Sequence, residues 1–467
     1  MKQAGRADFG LAGLAVMGQN LVLNIESRGF CVAVFNRTAE RTREFFENRC
    51  AGRSIIATWS LREFARSIRR PRSIMLMVKA GRPVDEMIGR LLPHLDRGDL
   101  LIDGGNSLFR DTERREAELK KKGLLFIGTG VSGGEYGALH GPAIMPGGEK
   151  KAYARVKDVF RKAAAVSDEG ACCTLVGRGG AGHFVKMVHN GIEYSIMQEI
   201  AEVFDIMQTG MGMPVPAIQP VFDRWNGAKL NGYLVEITAT TLKKVDELTG
   251  RPLVELILDT AEQKGTGRWT SQSALDLGIA VPTITASVDA RIISGHRKTR
   301  LVTARRLGGR TGRVRPSPGL IAKLENALYA AELISYAQGM HLIARASAEY
   351  KYGVNMGEVA RIWKGGCIIR SLILNVLRKA YPWGEHLFQS PSFARTLRAN
   401  ARDLRQVVAL AEGLRIPAPC LSSALAYMDS FSRKRLPANL TQAQRDYFGA
   451  HTFERTDRPG YFHATWD

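Results

Sequence analysis

The strongest constraint on the fold lies at the start of the chain. Asp8 to Leu14 is a short apolar run that reads as a buried strand. It passes straight into Gly13-Leu14-Ala15-Val16-Met17-Gly18 and a helical stretch from Gln19 to Arg28. The pattern is G-x-A-x-x-G, a variant of the dinucleotide fingerprint in the strand–turn–helix setting it requires. Small residues let the backbone approach a pyrophosphate, and the positive end of the helix favours that charge. A second strand, Cys31 to Phe35, ends in Asn36-Arg37-Thr38. An acidic residue there would hold a ribose hydroxyl, whereas an amide followed by an arginine suits a 2′-phosphate. The reading is NADP rather than NAD, set against the plainer alternative of a tight turn ending in a solvated arginine.

Further alternating units follow. Ser73 to Val78 reads as a strand ending at Lys79-Ala80-Gly81, and Asp99 to Ile102 as another ending in Asp103-Gly104-Gly105-Asn106-Ser107. Leu124 to Ile127 leads into Gly130-Val131-Ser132-Gly133-Gly134. Ligands of doubly wound sheets bind at the carboxyl ends of strands, where such turns would lie. Backbone N–H groups and the Ser132 hydroxyl would cradle a carboxylate.

From Gly180 onward strand signals nearly vanish and helical periodicity takes over. The most informative helix is Gly182 to Gln198, GHFVKMVHNGIEYSIMQ. Lys186, His189, Asn190 and Glu193 stand at i, i+3, i+4 and i+7, which puts all four on one face. Phe184, Val185, Met187, Val188, Ile192 and Ile196 are apolar, so this face is predicted to be buried. A lysine and a glutamate on a buried stripe are costly, and such groups mark sites more often than not. The competing reading is an intrahelical ion-pair face.

An internal repeat is visible in this half. Lys186 to Ile206 resembles Lys323 to Ile343 in apolar spacing, and Trp225-x-Gly227 recurs as Trp363-x-Gly365 at nearly the same offset. This predicts a duplicated helical bundle whose second copy has Ala330 at the Glu193 position, unless amphipathic helices merely look alike. Leu436 to Asp467 shows no clear helical period yet holds Tyr447, Phe448, Phe453, Tyr461, Phe462 and Trp466, so it should pack on something. The fold class expected is therefore α/β with a Rossmann-like domain, then a large all-α domain and a C-terminal tail. The boundaries read as 1–179, 180–435 and 436–467.

Composition adds limits. A hydrophobic content of 45% is globular, and no apolar run reaches membrane-spanning length. The first residues, MKQAGRADFG, carry no apolar leader core, so a cytoplasmic protein is expected. Cys31, Cys50, Cys172, Cys173, Cys367 and Cys420 have no C-x-x-C spacing and read as reduced thiols. No His/Cys/Asp cluster has metal-ligand spacing, so no metal is expected. The net charge of +21 attracts polyanions, but no nucleic-acid motif accompanies it and aromatics are not interleaved with the basic runs. One such run, Arg297 to Arg315, is notably arginine-rich.

Together these segments resemble the decarboxylating 6-phosphogluconate dehydrogenases, within the β-hydroxyacid dehydrogenase group. The resemblance runs nearly end to end. It is carried by GLAVMGQNL (Gly13 to Leu21), NRT (Asn36 to Thr38), DGGNS, GVSGGEYGALHGPAIMPGG (Gly130 to Gly148), KMVHNGIEY (Lys186 to Tyr194), KGTGRWT (Lys264 to Thr270) and RDYFGAHT (Arg445 to Thr452). Departures are Tyr136 in place of a second glutamate and Arg268 in place of a lysine.

The resemblance implies oxidation of 6-phospho-D-gluconate by NADP and loss of CO2 to give ribulose 5-phosphate, in the pentose phosphate pathway and gluconate use. It implies Lys186 and Glu193 as catalytic groups. Substrate contacts would come from Asn106, Ser132, Gly133, Gly134, His189, Asn190, Tyr194, Lys264, Thr266, Arg291, Arg445 and His451. Cofactor contacts would come from Gly13, Leu14, Ala15, Val16, Met17, Gly18, Asn36, Arg37, Thr38, Val78, Lys79, Ala80 and Asn106. It further implies a homodimer in which the tail delivers Arg445 and His451 to the neighbouring subunit. Two rivals remain: another β-hydroxyacid dehydrogenase with a smaller substrate, and a basic, non-catalytic nucleic-acid-binding relative.

Overall fold

The computed structural model describes residues 6–466. Met1 to Gly5, the first half of the MKQAGRADFG stretch, and Asp467 lie outside the described residues.

The first part of the chain alternates strand and helix. It runs β1 (Phe9–Ala12), α1 (Val16–Ser27), β2 (Val32–Phe35), α2 (Ala39–Arg49), β3 (Ile55–Ala57), α3 (Leu61–Ser67), β4 (Ser73–Leu76) and α4 (Arg82–Leu91). It continues with β5 (Leu100–Asp103), α5 (Phe109–Lys121), β6 (Leu125–Ser132), α6 (Gly134–His140), β7 (Ala143–Gly148) and α7 (Lys150–Ala163). The seven strands form one sheet in the order β3-β2-β1-β4-β5-β6-β7. All neighbours are parallel except β6 and β7. The order reverses between β1 and β4, which opens the crevice where such sheets take ligands. Strands buried on both faces read as continuous apolar runs, as VAVF in β2 does.

Three details differ from the sequence reading. Gly130 to Ser132 belong to β6 rather than to a turn, because antiparallel pairing with β7 extends to Ser132↔Ala143. β7 itself (AIMPGG) carries a proline and two glycines and gives no strand signal; it is an edge strand held by its partner. Helix α1 also begins at Val16, so the second half of the fingerprint is already helical.

A hairpin, β8 (Val166–Ser167) and β9 (Gly170–Ala171), leads to the helical part. This comprises α8 (Ala181–Asp205), α9 (Val215–Asn226), α10 (Tyr233–Lys243), α11 (Thr266–Asp276), α12 (Pro282–Gly295), α13 (Arg297–Leu307) and α14 (Pro318–Glu349). After these come α15 (Met356–Ile362), α16 (Ile373–Ala380), α17 (Pro391–Gly413) and α18 (Pro419–Ser432). The expected repeat is seen in the architecture. α8 and α14 pack against each other at the centre, and each is followed by a pair of packed helices, α9 with α10 and α15 with α16. Trp225 and Trp363 are fully buried, and Gly232 and Ser371 pair as an antiparallel bridge just before α10 and α16.

The tail differs from the reading of its sequence. It contains a helix, α19 (Ala438–Gly449), and a hairpin of β10 (Phe453–Glu454) with β11 (Tyr461–Phe462). The buried Asp446 organises it, accepting hydrogen bonds from Thr452 N, Ala464 N and Trp466 Nε1, and pairing with His463. Its other aromatics stay outside: Tyr447, Phe448 and Tyr461 are 69%, 71% and 77% exposed. Among the described residues no helix is long and apolar enough to cross a membrane. All six cysteines are free, five of them buried.

Candidate active site

The cofactor cleft lies where the strand order reverses. A Cβ on Gly13 would stand 2.4 Å from the Met77 carbonyl, and the residue has φ +110, so only glycine lets the turn press against β4. Leu14 N donates to Asn36 Oδ1 at 3.0 Å, and Asn36 Nδ2 donates to the Thr38 carbonyl at 3.1 Å. Asn36 is thus fixed to the turn while still lining the cleft, beside the exposed Arg37. A cavity of about 570 Å³ is lined here by Gly13, Leu14, Ala15, Asn36, Arg37, Thr38, Val78 and Lys79. Val16, Met17 and Gly18 form the first turn of α1 beside it, Ala80 lies in the following turn, and Asn106 is exposed after β5. The open N-terminus of α1 and the arginine suit a pyrophosphate and a 2′-phosphate, so the residues present fit NADP.

Sequence reasoning missed Arg41 and Arg90, which also line the cavity. Arg41 stands four residues beyond Arg37 at the start of α2, a spacing that could have flagged it. The triad behind the DGGNS turn was not legible. Asp103 accepts from Ser107 Oγ (2.7 Å) and Arg115 (3.1 Å), and Arg115 bridges to Asp85 (2.8 Å) and the Gly81 carbonyl (3.0 Å). Arg115 and Asp103 are both buried, and together they fix the two turns that flank the cleft.

The second centre is the N-terminal half of α8. This helix lies directly on β6 because Gly130 has no side chain; a Cβ there would be 2.4 Å from Lys186 Cβ. Lys186 is buried, and its Nζ donates to Asn190 Oδ1 at 2.6 Å, with His189 Nδ1 at 3.4 Å. Ser132 Oγ, at the end of β6, meets His189 Nε2 at 3.2 Å. Beyond it the position of a Cβ on Gly134 is open, so the backbone at this turn is accessible to a ligand. Asn190 Nδ2 donates to Thr266 Oγ1 at 3.2 Å, and Thr270 ties α11 to the Met187 carbonyl at 2.9 Å. The Arg291 guanidinium stacks over the Tyr194 ring at 3.4 Å.

Burial governs the ionisation of this face. It pushes the Lys186 amine down, opposed by Glu193 and then Cys367. It pushes the Glu193 carboxyl up, opposed by Lys186 and Arg291. His189 falls well below its ordinary value through burial and the neighbouring Lys186. Burial disfavours the charged form of all three groups while the Lys186–Glu193 attraction works against it, which makes amine and acid readier to exchange protons than free side chains.

The structure brings Lys186, His189, Asn190, Ser132 and Thr266 together in one hydrogen-bonded group. Glu193 and Tyr194 stand further along α8, Arg291 reaches Tyr194 from α12, and Lys264 is exposed just before α11. Arg445 and His451 sit exposed on the tail, and among the described residues no hydrogen bond or ion pair joins either to this group.

Known proteins match this arrangement from end to end. Residues 8–177 match the NAD binding domain of 6-phosphogluconate dehydrogenase, and residues 182–466 match the C-terminal domain of 6-phosphogluconate dehydrogenase. The decarboxylating 6-phosphogluconate dehydrogenase of Synechococcus elongatus is 53% identical, covering 98% of this chain and 99% of its own. The chain belongs to the 6-phosphogluconate dehydrogenase family. An NADP(+)-dependent, decarboxylating member from Bacillus subtilis is 49% identical over 99% of both chains. The Plasmodium falciparum 6-phosphogluconate dehydrogenase, solved with its cofactor NADP+ and with its substrate 6-phosphogluconate, superposes with a TM-score of 0.94. It is 42% identical and covers 98% of this chain and 100% of its own. The two departures from the family pattern lie outside the hydrogen-bonded group: Tyr136 is 72% exposed and stacks on His140, and Arg268 is exposed.

Proposed function

We infer that the chain oxidises and decarboxylates 6-phospho-D-gluconate with NADP, giving ribulose 5-phosphate, CO2 and NADPH. The observation that carries this reading is the face of buried Lys186 and Asn190 with half-buried Glu193, set against the open turn at Gly134. NADP, when bound in the cleft, supplies the hydride acceptor.

Lys186, kept neutral by burial, takes the proton of the substrate C3 hydroxyl as hydride leaves C3. The resulting ammonium donates to the new ketone oxygen and draws electron density towards it, so that the carboxylate at C1 departs as CO2. Glu193, held protonated by burial, then gives its proton to C1 of the enediol product. Ser132, Gly133 and Gly134 hold the substrate carboxylate. His189, Asn190 and Asn106 orient the hydroxyls. Tyr194, Lys264, Thr266 and Arg291 collect the phosphate, a task suited to several charge-assisted donors.

The parts 1–179, 180–435 and 436–467 serve as cofactor domain, catalytic domain and subunit-crossing tail. The tail supports a homodimer: its aromatics are exposed, and no residue of α13 is buried, with Leu301 and Leu307 facing outward. Exposed aromatic and aliphatic side chains are the groups a partner surface covers. A second copy of the chain would cover them and receive Arg445 and His451 at its phosphate site. A cytoplasmic setting completes the proposal. The direct test is to add 6-phosphogluconate and NADP to the purified protein and follow NADPH absorbance and CO2 release together. Absence of either product overturns the reading.

A further inference from the structure

Hairpin β8–β9 carries two carboxylates at its turn, Asp168 and Glu169, and their cationic partners come from the second helical copy. Lys364 Nζ lies 2.6 Å from Asp168 and 2.9 Å from Glu169. Arg378 donates to Glu169 Oε2 from Nε at 2.9 Å and from Nη2 at 2.5 Å. Arg361 adds a bond to the Ala171 carbonyl at 2.8 Å. The Lys364 side chain is only 9% exposed, so this is no loose surface pair.

Lys364 belongs to Trp363-Lys364-Gly365-Gly366-Cys367, a segment that meets the active site at three points. The Trp363 ring packs edge-on against His189, with centroids 5.5 Å apart. The Gly366 carbonyl accepts from Ala143 N at 2.6 Å and lies 2.6 Å from where a Cβ on Gly133 would be. Cys367 is buried and adds its influence to Lys186. None of these residues lines the cofactor cavity.

We propose that Asp168 and Glu169 act as positioning residues, clasping Lys364 and Arg378 so that the Trp363–Cys367 segment is held against Gly133 and His189. The clasp sets the shape of the carboxylate-binding turn and couples the nucleotide-binding half to the catalytic helix. It acts through the segment and touches no reacting atom. This rests on the reading that Ser132–Gly134 hold the substrate carboxylate.

The test compares the parent enzyme with Asp168→Asn/Glu169→Gln, which keeps shape and removes both charges, and with Glu169→Asp, which keeps the charge. The double variant should raise the KM for 6-phosphogluconate roughly three- to tenfold while kcat and the KM for NADP stay near parental values, since a displaced positioning element costs binding before chemistry. Glu169→Asp should recover most of the loss. Hydrogen–deuterium exchange should be faster in residues 363–367 of the double variant and unchanged around Gly13 and Arg37. An unchanged substrate KM with unchanged exchange overturns the proposal. So does a joint fall in Tm, kcat and both KM terms that Glu169→Asp does not repair, because that describes general destabilisation. If the parent itself fails to turn over 6-phosphogluconate, the functional reading falls, and the exchange measurement alone still decides whether the clasp orders the segment.

Discussion

The Nζ of Lys186 and the Oδ1 of Asn190, one helical turn apart on α8, are joined by a 2.6 Å hydrogen bond. The bond aims a buried amine along the helix face, and the amide neutralises none of its charge. Asn190→Asp would change that. A carboxylate at this distance favours the ammonium and raises the lysine pKa. With the neutral amine as the proposed base, the acidic limb of the kcat/KM profile should move to higher pH, by about one unit or more. A profile that stays in place would show that Lys186 is not the base.

Lys186→Met should abolish hydride transfer and decarboxylation alike, since one group serves as base and then as acid. Glu193→Gln should act later. Single-turnover NADPH formation should persist, while deuterium uptake at C1 of the product slows. Parental turnover by Glu193→Gln would remove Glu193 from the mechanism.

Arg37→Ala should weaken NADP by roughly 1.5–3 kcal/mol, or about one to two powers of ten in binding, and leave NAD use unchanged or improved. Arg37 is the proposed contact to the 2′-phosphate, and Arg41 and Arg90 line the same cavity. Parallel measurements with both cofactors check this, and equal losses would count against it.

Glu332 is buried where α14 faces α8, and burial alone lifts its carboxyl to about 8 from 4.5. A folded-state value above the unfolded one means that its favourable contribution is complete below about pH 4.5 and is lost as pH rises through about 8. Glu332→Gln removes this dependence. The variant should therefore gain stability relative to the parent across that window, on the order of a few kcal/mol, read from urea midpoints at several pH values. A constant difference between the two proteins would contradict the assignment.

Mixing subunits tests the proposed tail exchange. Inactive Lys186→Met and inactive Arg445→Ala chains, allowed to form heterodimers, should regain part of their activity, because one site then holds both residues intact. Demonstrated heterodimers without activity would mean that the tail serves its own chain.

What the sequence determined by itself is local or periodic. The fingerprint at Gly13–Gly18 and the helix face from Lys186 to Glu193 follow from spacing within a few turns of one element, and the repeat of Trp225 at Trp363 from a recurring offset along the chain. Such spacing survives in the fold because backbone geometry converts it directly into a face or a turn. Tertiary structure alone decided the rest. β7 is a strand despite Pro146 because β6 supplies its hydrogen-bond partners. Arg115 becomes a buried pillar between Asp103 and Asp85, although α5 is so rich in charge that nothing in its sequence marks this arginine. Asn36 is oriented by Leu14, and Lys364 is covered by a hairpin nearly two hundred residues earlier. Each of these depends on groups distant in the chain competing for the same hydrogen bonds and the same dry space. That competition is settled only when the whole chain has packed.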